Sequence, residues 1–190
     1  MRTYNPASSG AAQKRAAPQL QVRRAIRLFT GNHVTRKLEI WLFIVALGHI
    51  AAGVALPFVA FSSGFDLYAE RIRESFWGGA LMPPEAEAFQ RWIVALFGPT
   101  VASWGVLMAY LVRAGMRTND PCPWNALLLS LLVWAPADIA ISLMRNFWLH
   151  VVIDLVAVLI IVAPALMLRA QKSRKYRIRP TQFQKEQQWI

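Results

Sequence analysis

Cysteine is nearly absent. The single Cys122 excludes an intrachain disulfide framework, and its place between Pro121 and Pro123 in a short loop suits an incidental reduced thiol. Charge is scarce as well. Asp, Glu, Lys and Arg make up 16% of the chain against 56% hydrophobic residues, too little charge for an ordinary soluble domain. Acids are the rarer sign, ten against 21 Lys and Arg. Also missing are a Walker loop, GxGxxG, GxSxG, a CxxC pair, HExxH, any internal repeat and any heptad series. None of the common phosphate, hydrolase, dithiol or zinc-protease motifs therefore assigns a chemistry, and no catalytic residue or cofactor is assigned.

What is present is apolar sequence in long runs. Four are long enough to span a bilayer: about 39–61, 91–112, 124–144 and 147–168. The first follows a basic stretch far longer than a signal-peptide n-region, so a retained membrane helix is expected there. Between the first two runs, residues 64–78 place Phe65, Tyr68, Ala69, Ile72 and Phe76 on one helical face and Asp66, Glu70, Arg73 and Glu74 on the other. The expected fold is an all-α integral membrane protein, a four-transmembrane-helix bundle with an outer interfacial amphipathic helix. It divides into a basic, partly disordered arm (1–37), a membrane domain (38–168) and a polybasic tail (169–190). Within the arm, 19–30 reads as a short basic amphipathic helix on the membrane surface or as a fluid basic segment, with Gly31-Asn32 as its stop.

Small residues mark packing seams. Gly48, Ala51, Ala52 and Gly53 offer one in the first span, and Gly98, Ala102, Gly105 and Ala109 form a stripe in the second. Pro57 and Pro99 are expected to bend their helices, and Pro164 lies near the exit of the fourth run.

Charge distribution sets an orientation. Residues 1–37 hold eight Lys or Arg and no acid, the tail from Arg169 holds seven and one, and the 113–124 loop two and one. Segment 63–91 holds three Arg against five acids. By the positive-inside rule both ends and the middle loop face the cytoplasm, and 63–91 faces outward. Trp41 and Trp124 then mark the inner interface, and Trp77, Trp92 and Trp148 the outer one. Ala, Arg, Trp and Pro richness points to a bacterial inner membrane. The net charge of +11 flanks the apolar runs, so anionic lipid head groups rather than nucleic acid are the expected partner of the tail, Lys172 included.

The third and fourth runs carry polar residues at depth. Asp138 lies 14 residues past Trp124 and Asp154 14 residues before Leu168, so each stands about 21 Å from the inner end at 1.5 Å per residue. His150 is one turn from Asp154, while Trp134 and Ser142 flank Asp138 at i−4 and i+4. The tight turn at Arg145-Asn146-Phe147 lets the two stripes face each other. Arg145 is placed at the rim, able to fold back toward the acids, and His49 roughly a turn below them.

Asp138, Asp154, His150, Trp134, His49 and Arg145 thus form the candidate ligand-binding set. Three functional readings compete with a purely structural clasp of polar pairs. One is a pocket for a lipid-like or cationic small molecule, with acids as counter-charge and Trp134 as aromatic wall. Another is a proton or cation relay, which four helices would need a homo-oligomer to build. The third is an accessory or scaffold subunit bound to a membrane-protein partner. A metal shared by His150, Asp154 and Asp138 fits the spacing, but three-ligand N/O sets arise easily by chance, and no metal is assigned.

Overall fold

The computed structural model describes the backbone of residues 7–178 and the side chains of residues 33–174. It is helical throughout: α1 Ala7–Ala60, α2 Asp66–Trp77 after a 3-10 turn at Ser63–Phe65, α3 Pro84–Arg117, α4 Cys122–Met144 and α5 Trp148–Ile178. No strand occurs among the described residues. Four stretches are long and apolar enough to cross a membrane: His33–Val59, Pro84–Arg117, Cys122–Met144 and Trp148–Arg174. The protein is an all-α integral membrane protein with four such helices. Its outward surface agrees: Phe58, Leu132, Val133 and Leu159 are each at least 66% exposed, as lipid-facing side chains are and water-facing ones rarely are.

The chain falls into two units, Met1–Lys37 and Leu38–Ile190. In the first, α1 begins at Ala7, inside the stretch whose composition suggested disorder, and its backbone passes through Gly31-Asn32 without the expected stop. Glycine inside a helix costs about 1 kcal/mol, too little by itself to end one. The amphipathic face of 19–30 lies outside the described side chains.

In the second unit all four spans contribute to one core. Leu42, Met108, Val112, Trp124, Leu127, Ile161 and Leu168 are almost fully buried in it. Small residues bring α1 against α3. A Cβ on Gly53 would lie 2.6 Å from the Gly98 carbonyl oxygen, and one on Gly105 would lie 2.7 Å from the Ile50 nitrogen. The α3 stripe is therefore a true seam. Of the four small residues expected to pack on α1, only Gly53 does so: Gly48 meets open space, and Ala51 and Ala52 are exposed. The helices run on through Pro57, Pro99, Pro136 and Pro164.

Two tryptophans expected at one interface part company. Trp41 is 47% exposed and donates its indole N–H to the Ile160 carbonyl at 3.0 Å. Trp124 is fully buried, because Gly115 leaves a hollow in α3 that its ring fills.

Helix α5 continues past Leu168, and Lys172 turns inward instead of toward lipid head groups. Its ammonium donates to the Gly115 and Thr118 carbonyls, both at 2.9 Å, and stands 3.0 Å from Glu39 Oε1. The last contact is an ion pair without hydrogen-bond alignment. Lys172 thus joins α5 to α1 and to the end of α3. Arg169 adds a bond to Asn125 on α4 at 2.6 Å.

At the other end, Arg91 ties three elements together. It donates to the Ala60 carbonyl (2.9 Å) and pairs with Asp66 (3.2 Å) and Glu87 (3.0 Å). Helix α2 ends at Gly78, φ 60°, where a side chain would be strained.

Candidate functional site

The site is built on the α4–α5 hairpin. Asn146 adopts a left-handed φ of 53°, its N–H reaches the Leu143 carbonyl (3.0 Å), and the Phe147 N–H reaches that of Ser142 (2.9 Å). This is a Schellman cap, and Asn tolerates its left-handed position better than most residues. The cap reverses the chain within a few residues and sets the register of α5 against α4.

That register brings Asp138, His150 and Asp154 together. Nε2 of His150 lies 3.6 Å from Asp138 Oδ2 and 3.8 Å from Asp154 Oδ1. Both gaps are too wide for hydrogen bonds. The side chains of His150 and Asp138 are 26% and 27% exposed, and that of Asp154 only 4%. Asp154 Oδ2 is buried without a hydrogen-bond partner. Among the described residues neither acid pairs with Lys or Arg.

On its other edge the imidazole meets α2. Nδ1 of His150 is 3.0 Å from the Tyr68 hydroxyl, and Phe147 stacks on the ring at 5.8 Å between centroids and 3° between planes. Tyr68 sits edge-on to Phe147 and tilted to Phe65. The tyrosine is pushed up from 10.0 to about 12, first by burial and then by the negative charges of Asp154 and Asp138.

The other expected members lie elsewhere. Arg145 stays at the rim without folding back, its guanidinium 5.5 Å from the centre of the Phe76 ring. An aromatic face at the membrane edge lets it keep its hydration, which a descent to the acids would strip away. His49 turns its Nδ1 to the Val45 carbonyl of its own helix at 2.8 Å. Trp134 is 39% exposed on the outer surface of α4. Tyr68 and Phe147 are the site residues that sequence reasoning missed. The signal for Tyr68 was slight, a single hydroxyl on the otherwise apolar stripe of α2.

Chemically, the cluster is an imidazole between two carboxylates, braced from behind by a phenol. It can hold positive charge, since two carboxyl groups face one imidazole with no Lys or Arg paired to them among the described residues. No protein family matches the sequence, and no curated protein or solved structure is similar to it.

Proposed function

We propose that this protein binds a positively charged, membrane-borne small ligand at Asp138, His150 and Asp154. The observation that supports this most is Asp154, a carboxylate 4% exposed with one oxygen lacking any partner, beside a second acid and no Lys or Arg. An uncompensated carboxylate inside a membrane span is costly, and a bound cation removes that cost. The aromatic faces of Phe147 and Tyr68 suit the apolar surround of such a ligand. In the same proposal the protein lies in a bacterial cytoplasmic membrane with both ends in the cytoplasm, which puts α2 and the site in the outer half. Anionic lipid head groups meet the basic tail.

The test is thermal unfolding of the detergent-purified protein with dodecylamine, with uncharged dodecanol as the control. The amine is expected to raise the Tm above the dodecanol value, since a ligand that binds only the folded state stabilises it. Asp138→Asn and Asp154→Asn should keep the ligand-free Tm and lose that difference. An equal response to both probes, or an amine effect that persists in the double variant, overturns the proposal. Variants that unfold without any probe favour a structural clasp.

A proton relay is the second reading, favoured by the Tyr68–His150 hydrogen bond. Tyr68→Phe should stop proton flux in liposomes under that reading while leaving the amine effect in place.

A further inference from the structure

The same cluster has the dimensions of a metal centre. One ligand atom from each of Asp138, His150 and Asp154 lies within 4.8 Å of the other two. Donors bound tetrahedrally at about 2.0–2.2 Å sit roughly 3.4 Å from each other. The histidine-to-carboxylate distances of 3.6 and 3.8 Å are a few tenths of an ångström beyond that, within reach of small side-chain rotations. They are too long for hydrogen bonds, so the three groups converge on a point without satisfying one another.

We infer that Asp138, His150 and Asp154 hold a divalent transition-metal ion of the Zn²⁺ or Mn²⁺ class. The inference rests on the reading of this cluster as a cation site and puts a metal ion where that reading puts a membrane-borne cation. Three observations choose this class. The first is Asp154 itself, whose side chain is nine-tenths buried, faces His150 and has an orphan oxygen. The second is charge: two carboxylates and a neutral imidazole sum to −2, so a divalent ion gives a neutral complex, the form a membrane interior favours. The third lies behind the ring. A metal on Nε2 requires the proton on Nδ1, and the Tyr68 oxygen stands 3.0 Å away to accept it. Metal-binding histidines are commonly fixed by such a bond to the far nitrogen. Tyr68 is thus a positioning residue acting through His150, and Phe147 stacking holds the ring plane. Three protein ligands leave a coordination position open to water or to a ligand, on the side where Asp138 and His150 are partly exposed.

The experiment uses full-length protein, stripped with chelator and titrated with Co²⁺, whose visible absorption reports a protein-bound N/O site, then with Zn²⁺ as competitor. Wild type is expected to develop bands that saturate at one equivalent and that Zn²⁺ abolishes. His150→Gln, Asp154→Asn and Asp138→Asn should lose them, and His49→Gln should keep them. Asp138 is the more exposed ligand, so Asp138→Asn carries the test if Asp154→Asn does not fold. Tyr68→Phe should retain the spectrum with affinity lowered about tenfold, the usual scale for a group behind a metal ligand. No bands in wild type, or bands that survive in both His150→Gln and Asp138→Asn, overturn the inference. The two proposals fail separately. A wild type that answers to the amine and not to the metal sinks this inference alone.

Discussion

The indole of Trp124 lies against the bare Cα of Gly115. A methyl group there would stand 2.6 Å from Cε2 and 3.0 Å from Nε1 of that ring. Ring and hollow are complementary, and neither α3 nor α4 can shift without opening the core around Leu168, Val112 and Leu127.

Gly115→Ala is therefore expected to destabilise the bundle by about 1–3 kcal/mol, the usual cost of overpacking. Equilibrium unfolding in mixed micelles measures it. Adding Trp124→Phe, a smaller ring, should recover part of the loss. A Gly115→Ala protein as stable as wild type would mean the indole does not fill the hollow.

The buried ion pair at the opposite end from α2 gives a larger effect. Lys172 and Glu39 side chains are 7% and 10% exposed. Lys172→Met leaves the carboxylate without its cation, and removal of one partner of a buried pair typically costs about 3–5 kcal/mol. Replacing both, Glu39→Met with Lys172→Met, should be markedly milder than Lys172→Met alone. Additive losses in that double-mutant cycle would show the two groups to be independent.

Tyr68 provides a pH signature. Its folded-state value of about 12 lies above the ordinary 10.0, so the folded protein holds the phenol proton more tightly than the unfolded chain. The associated stability is fully present below pH 10 and is lost as the pH rises from there toward about 12. Titration of phenolate absorbance should show a late step near pH 12 that Tyr68→Phe deletes. A Tyr68→Phe profile superimposing on wild type would contradict the buried placement of the phenol.

Topology can be read with cysteine probes in a Cys122→Ser background. Ser75→Cys, on α2, should react with a membrane-impermeant maleimide from outside intact cells. Ser173→Cys should react only after the membrane is opened. Labelling of Ser75→Cys only after opening would reverse the proposed orientation.

Much of this architecture was legible because helical periodicity and apolar length are local signals. The meeting of Asp138, His150 and Asp154 was legible for the same reason: i, i+4 spacing on α5 and a tight turn leave one register, and the Schellman cap at Asn146 supplies it. What escaped depends on partners distant in sequence. Tyr68 meets His150 across 82 residues, and nothing in α2 specifies that meeting. Trp124 reads as an interfacial residue until Gly115 is placed beside it. Lys172 reads as one charge in a basic run until Glu39 and the end of α3 come within reach. Arg145, placed at the rim with the option of folding back toward the acids, keeps to the rim, where the Phe76 ring and the hydration of its guanidinium hold it.

The Lys172 clasp also imposes an order in time. Its partners are made early, Glu39 in the first span and Gly115 and Thr118 at the end of the second, whereas Lys172 emerges from the ribosome only after the last apolar run. A nascent or truncated chain that stops short of residue 172 holds Glu39 and those carbonyls with no ammonium to join them. The bundle is thus fastened at this end by a side chain synthesised near the end of the fourth span, and a chain interrupted within α5 before Lys172 lacks that fastening.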